Sequence, residues 1–225
     1  VAARIGARFC SERQKLAQDQ RADPIGRSGV RAVAGAPIER IDIRNGLRHL
    51  ETWRPSEKED MGRRIRVIWE GSEYRGRGRE TIWDGSAELS GNAFTRIEPI
   101  NWYNIEKKLD LVSPQRVEWS SLTTGGFIGF DAWLDDMVMG WLTIDTPLVK
   151  ETLAVQDIGR EDTCLEAGGL GRRVRVYRLP EENPHARLRL ERRIPLSPDR
   201  DDALYVRITL EDGHVIWSSP IYLVP

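Results

Sequence analysis

Histidine and cysteine are nearly missing from this chain, with three of the first and two of the second among 225 residues. A hydrolytic metal site needs several convergent imidazoles or carboxylates, and His49, His185 and His214 stand in no His-x-His or His-Glu-x-x-His spacing. The sequence therefore predicts no metal site and no cofactor. Cys10 and Cys164 lie far apart and in no Cys-x-x-Cys pair, so they read as two reduced thiols; a disulfide between them requires a fold that brings them together. The nucleophile elbow Gly-x-Ser-x-Gly is missing too, since Asp84-Gly85-Ser86-Ala87 lacks the second glycine. Gly168-Gly169-Leu170-Gly171-Arg172 has no following lysine-serine or lysine-threonine pair and no helix behind it, and reads as a tight turn between strands. Asp135-Asp136 and the trio Asp199, Asp201 and Asp202 lack the order of a calcium loop and read as solvated turns, with a weak structural calcium site as the alternative.

Long apolar runs are also lacking. Nothing approaches the roughly 20 residues that span a bilayer, and Val1 to Cys10 carries arginines where a signal peptide needs an apolar centre, so no membrane association is expected. Basic and acidic residues number 34 and 35, a net charge of -1 that argues against a nucleic-acid partner. Only five of those 34 basic residues are lysines, which reads as a coding bias toward arginine. Mean hydropathy is -0.49, on the polar side of globular proteins. Methionine does not begin the chain, which reads as a fragment or a trimmed product.

What is abundant is short alternation. Ser11 to Gln20 is rich in helix formers but holds one large apolar residue, Leu16, which predicts a weakly docked helix or frayed arm, followed by a linker over Arg21 to Ser28. After Gly29, apolar and polar residues alternate in short runs separated by glycine, proline, asparagine and aspartate. Strands are predicted over Thr81 to Leu89, Ala93 to Ile97, Arg116 to Leu122, Trp141 to Asp145, Glu151 to Val155, Arg173 to Arg178 and Ala186 to Glu191, and no connection carries the helix of a parallel crossover. Arg64 to Glu70 reads as a half-buried strand with Ile65, Val67 and Trp69 inward. A turn at Asn45-Gly46 predicts Asp42 opposite His49 and Ile41 opposite Leu50, which gives His49 a structural role, with metal binding or acid-base work as the alternatives. A turn at Asp212-Gly213 predicts Ile208 opposite Trp217 and Leu204 opposite Ile221, with Trp217 the largest element of an apolar face and Pro220 marking an edge.

Eight tryptophans are many for this length. Trp69, Trp119 and Trp217 fall on inward positions and read as core, whereas Trp102, Trp133 and Trp141 lie in or beside loops and are the candidate ligand-contact aromatics. Gly71 to Glu80 alternates glycine with arginine, making Arg75, Arg77 and Arg79 a candidate anion-contact loop; a salt-bridged turn using Glu73 and Glu80 competes with that reading.

Several segments in one order carry a resemblance: Ala36-Pro37-Ile38-Glu39-Arg40-Ile41-Asp42-Ile43-Arg44-Asn45-Gly46, Arg66-Val67-Ile68-Trp69, Thr81-Ile82-Trp83-Asp84-Gly85, Phe130-Asp131-Ala132-Trp133, Glu166-Ala167-Gly168-Gly169-Leu170, and Tyr205-Val206-Arg207 through to Trp217-Ser218-Ser219-Pro220. Over about Val30 to Val224 the chain resembles the carboxyl-terminal region of large bacterial proteins of unknown function related to the polymerase and histidinol phosphatase (PHP) family of metal-dependent phosphoesterases. The resemblance implies a metal-bearing catalytic barrel ahead of this region. None of its ligand motifs is matched here, so no catalytic or metal residue is carried over, and Val1 to Ser28 is unlike the stretch expected to precede the sandwich, which implies a truncated or altered start.

The expectation is an all-β, antiparallel sandwich-like protein: an arm or linker over residues 1–28, then a sandwich-like region over 29–225, either one body or two packed subdomains. The function expected is a non-catalytic accessory region that packs on, or shapes access to, a catalytic domain, whose partner is that domain or a second copy of the chain. The alternatives are a stand-alone carbohydrate-binding sheet that stacks sugars on its loop tryptophans and an enzyme with an unrecognised site.

Overall fold

The structure, a computed structural model, describes residues 4–11, 25–57, 61–77, 79–197 and 199–224. It is all-β: every strand pairing is antiparallel, and one 3-10 turn, Val155–Asp157, is the helical element among the described residues. Among the described residues no helix is long and apolar enough to cross a membrane.

The chain forms two units, Val1–Lys58 together with Asn183–Pro225, and Glu59–Glu182 between them in sequence. In the first unit, β1 (Arg4–Ser11), β2 (Ile25–Val33) and β17 (Arg187–Pro195) form a three-stranded sheet. The second sheet runs β19 (Val215–Trp217), β18 (Asp202–Leu210), β3 (Ile38–Asn45), β4 (Arg48–Trp53), with β20 (Ile221–Leu223) also on β18. Val30, Ala32, Leu190 and Ile194 of one sheet share a core with Ile38, Ile41, Ile43, Leu204, Val206, Ile208 and Leu210 of the other.

The expected boundary after residue 28 does not exist as drawn, because β2 runs across it and pairs with β1 from Ser11↔Gly26 to Arg4↔Val33. Ile5, Ala7 and Phe9 alternate with Arg4, Gly6 and Arg8, the strand period that the arginines obscure. The helix expected over Ser11 to Gln20 lies, past Ser11, outside the described residues.

Both hairpins of this unit depart from the expected register. Asn45 pairs with Arg48 around Gly46-Leu47, and Gly46, with φ +55°, takes the positive-φ position. The Asn45 side chain itself is spent on the neighbouring strand, its Nδ2 donating to Asp202 Oδ1 at 2.6 Å and its Oδ1 accepting from the Ala203 backbone N–H at 2.8 Å. A bulge at Leu50 then places Asp42 opposite Thr52 and Ile41 opposite Trp53. Asp202, expected in a solvated turn, is fully buried and also accepts from the amide and hydroxyl of Ser197.

At the closing hairpin, Leu210 and His214 bracket a three-residue loop whose last member, Gly213, has φ +86°. That extra residue slips the ladder by one, so Trp217 faces Arg207 instead of Ile208 and is 55% exposed. The four inward residues of β18 are fully buried as expected, and the Leu204↔Ile221 pair holds because Ser218 to Pro220 breaks the returning strand into β19 and β20.

The second unit packs two five-stranded sheets. One runs β15 (Thr163–Glu166), β16 (Leu170–Arg178), β5 (Arg64–Ser72), β12 (Phe127–Leu134), β8 (Phe94–Ile100). The other runs β14 (Lys150–Ala154), β13 (Trp141–Asp145), β7 (Gly85–Ser90), β10 (Arg116–Ser120), β9 (Lys108–Ser113). The short strands β6 (Thr81–Ile82) and β11 (Leu122–Thr123) pair separately. Ile65, Val67, Trp69, Phe130, Val174 and Val176 meet Ala87, Leu89, Val117, Trp119, Leu142 and Ile144 in one core. Trp69 and Trp119 stack with centroids 4.7 Å apart and planes 11° from parallel.

Gly71, at the end of β5, has φ +93°, and a Cβ there would collide with the backbone of Gly171 and Arg172. Gly171 has φ +66° but open space around it. Gly71→Ala is therefore expected to destabilise this unit by roughly 1–3 kcal/mol, and by more than Gly171→Ala, in urea denaturation.

Candidate ligand-binding site

The two sheets of the second unit end in free edges at β8 and β9, and the chain crosses from one to the other through Asn101 to Lys107. Between these edges lies an open cleft of about 500 Å³, lined by Ile97 and Pro99 of β8, Lys108, Leu109 and Asp110 of β9, and Trp102 and Lys107 of the crossing loop. A smaller cavity of about 60 Å³ also borders Trp102 and Lys107 and includes Tyr103 and Ser121.

Local sequence explains why Trp102 is held there. Asn101 is the one non-glycine residue with positive φ among those described, at +57°, a conformation asparagine tolerates better than most residues. Its amide donates to the Phe127 carbonyl at 3.2 Å and its side-chain oxygen accepts from the Tyr103 hydroxyl at 2.8 Å. The chain so turned sets Trp102 edge-on against Trp69, centroids 5.9 Å apart and planes 88° apart. Asn104 Oδ1 then accepts from the Glu106 amide, and the Asn104 carbonyl from the Lys107 amide, which closes a tight turn. That turn presents the Lys107 carbonyl to the Trp102 indole N–H at 3.2 Å. Core packing on one side and a hydrogen bond on the other give the half-buried ring one orientation. Lys107 Nζ lies 3.5 Å from Ser120 Oγ, and Lys108 and Asp110 add one charge of each sign to the wall. The arrangement can stack a flat or ring-shaped ligand on the indole and hydrogen-bond its polar edge.

The other candidate aromatics are placed elsewhere. Trp133, on β12, projects on the face opposite the core, with the Arg96 guanidinium 3.7 Å and that of Arg64 5.3 Å from its ring centroid. Trp141 begins β13, alternates with the core residues Leu142 and Ile144, and is 54% exposed on the outer face of its sheet. Trp102 alone of the three lines the cleft. Arg75, Arg77 and Arg79 are exposed in the loop between β5 and β6. Asn101, Lys107 and Leu109 escape sequence reasoning; the signal available for the first was an asparagine ending a strand.

The charged face of β5 is buried instead of solvated. Asp131, 3% exposed, accepts from Arg64 at 2.5 and 3.0 Å and from Arg66 at 2.6 and 2.9 Å. Burial would raise its carboxyl pKa, but the Arg66 and Arg64 charges and their hydrogen bonds outweigh that and hold it below the ordinary range. Arg178 donates to the carbonyls of Ile158, Gly62, Met137 and Val155, and burial lowers its pKa. These are structural uses of charge.

Of the histidines, His49 binds the Thr52 hydroxyl at 2.9 Å and His214 lies 3.1 Å from Asp212. Among the described residues no three or more His, Cys, Asp or Glu side chains are grouped to hold a metal ion. Cys164 is a free, exposed cysteine whose thiol pKa is raised by partial burial. Comparison with known proteins finds no matching family model, curated protein or solved structure.

Proposed function

We propose that this chain is a non-catalytic accessory module that binds oligosaccharide in the cleft between β8 and β9. The observation that carries the reading is the Trp102 ring, fixed by Trp69 and the Lys107 carbonyl, which lines an open groove together with the charged residues Lys107, Lys108 and Asp110. An aromatic face offers apolar contact to the ring of a sugar, and lysine and aspartate offer partners to its hydroxyls. The likeness of the segments between Val30 and Val224 to the tail of PHP-type proteins supports a setting beside a metal-dependent hydrolase domain, where a bound glycan chain would be held near, or guided toward, that domain.

The test is tryptophan fluorescence titrated with gluco-, xylo-, manno- and chito-hexasaccharides. At least one is expected to quench the wild-type signal, with affinity reduced about tenfold or more in Trp102→Ala and unchanged in Trp141→Ala. Retention of wild-type affinity by a folded Trp102→Ala would refute the cleft as the site.

A further inference from the structure

The slip of the closing hairpin creates a second surface, on the first unit. β18 turns Leu204, Val206, Ile208 and Leu210 to the core and therefore Tyr205 and Arg207 away from it. On that outer face the registers align two rows. Trp217, Arg207, Asp42 and Thr52 stand opposite one another across β19, β18, β3 and β4, and Tyr205, Arg44 and His49 form the adjacent row. With strands about 4.8 Å apart, the first row spans roughly 14 Å.

Each member is held. The Tyr205 and Trp217 rings lie 5.9 Å apart and 34° from parallel, and the Tyr205 hydroxyl donates to the Gly46 carbonyl at 2.9 Å. The Arg207 guanidinium sits 5.4 Å from the Trp217 centroid and donates to Asp42 at 3.4 Å. Asp42 accepts from Thr52 at 2.7 Å, whose hydroxyl also meets His49 Nε2 at 2.9 Å. Asp42 thus matches the charge of Arg207. Arg44 is different. It donates to the Leu47 carbonyl at 2.9 Å, no carboxylate among the described residues pairs with it, and its buried Nε has no hydrogen-bond partner.

We infer that this face is a second carbohydrate site, and that it takes an acidic oligosaccharide: a sugar ring stacks on Trp217 beside Tyr205, and a uronate carboxylate pairs with Arg44. The unmatched cation selects the carboxylate, the aromatic pair selects the ring, and the Arg207, Asp42 and Thr52 row supplies partners for hydroxyls. The inference stands independently of the Trp102 cleft.

Galacturonate and alginate hexasaccharides are titrated calorimetrically into the wild-type chain and the variants Trp217→Ala, Arg44→Gln and Trp102→Ala, with cellohexaose as the neutral comparison. Trp217 and Arg44 reach the surface, so both variants are expected to fold, which circular dichroism and thermal melting check. At least one uronate hexamer is expected to bind, about tenfold more weakly or worse in Trp217→Ala and in Arg44→Gln, equally well in Trp102→Ala, and less tightly as salt rises. Absence of uronate binding overturns the inference, as does binding indifferent to Trp217 and Arg44, or cellohexaose binding that is as tight as uronate binding and is equally weakened in Trp217→Ala. Binding lost in Trp102→Ala but kept in Trp217→Ala overturns it while supporting the cleft.

Discussion

Replacing Trp69 with alanine is expected to remove a large share of the stability of the Glu59–Glu182 unit. The ring is fully buried, stacks on Trp119, meets Trp102 and Phe130 edge-on, and donates to the Ser121 hydroxyl at 2.9 Å. Truncation removes its transfer energy and leaves a cavity that neighbouring strands cannot close, a loss of about 3–5 kcal/mol, against roughly 5–15 kcal/mol for a whole domain. Ser121, fully buried, also loses this partner. Urea denaturation followed by tryptophan fluorescence reads the effect. A shift worth less than about 1 kcal/mol would mean the stacked pair is not the centre of this core.

Removal of the Asp131 carboxylate is expected to cost as much for a different reason. Asp131→Ala leaves the guanidiniums of Arg64 and Arg66, 7% and 0% exposed, without the charge they share. Breaking a buried ion pair from one side typically costs about 3–5 kcal/mol, because the remaining charges stay desolvated. The same group makes stability depend on pH. Its folded pKa lies below its unfolded value of about 3.9. The contribution is therefore complete above that value and is lost as pH falls through the folded pKa. Wild type is expected to lose stability steeply below about pH 4, and Asp131→Asn, less stable at neutral pH, to show a flatter acid limb. Parallel acid limbs for the two proteins would show that other carboxylates govern acid unfolding.

Sequence patterning identifies elements wherever one face is buried and the other wet. Trp141–Asp145 is a strand with the expected bounds, and Leu204, Val206, Ile208 and Leu210 point inward as their alternation requires. The central strand β12 breaks that rule. Its Phe-Ile-Gly-Phe-Asp-Ala-Trp-Leu run has neighbours on both sides and a buried carboxylate in the middle, so it shows neither alternation nor a simple apolar run. Turn residues locate hairpins but not their registers: one left-handed glycine, Gly213, lengthens the last loop and moves Trp217 from the expected core to the surface. Trp102 is legible as a loop aromatic. Its cleft is not, because the groove needs β9, whose Lys-Leu-Asp-Leu-Val-Ser run sits at a sheet edge with little burial, and a left-handed Asn101.

The most direct measurement of oligosaccharide binding is a titration followed by nuclear magnetic resonance of the tryptophan indole N–H signals, each assigned by single substitution. With the neutral hexasaccharide that quenches fluorescence, the Trp102 signal is expected to shift progressively and saturably, while those of the buried Trp69 and Trp83 and of Trp141 hold still. Saturable shifts confined to Trp133 or Trp141, or no shift with any hexasaccharide, would contradict the assignment of the cleft between β8 and β9 as a glycan-binding site.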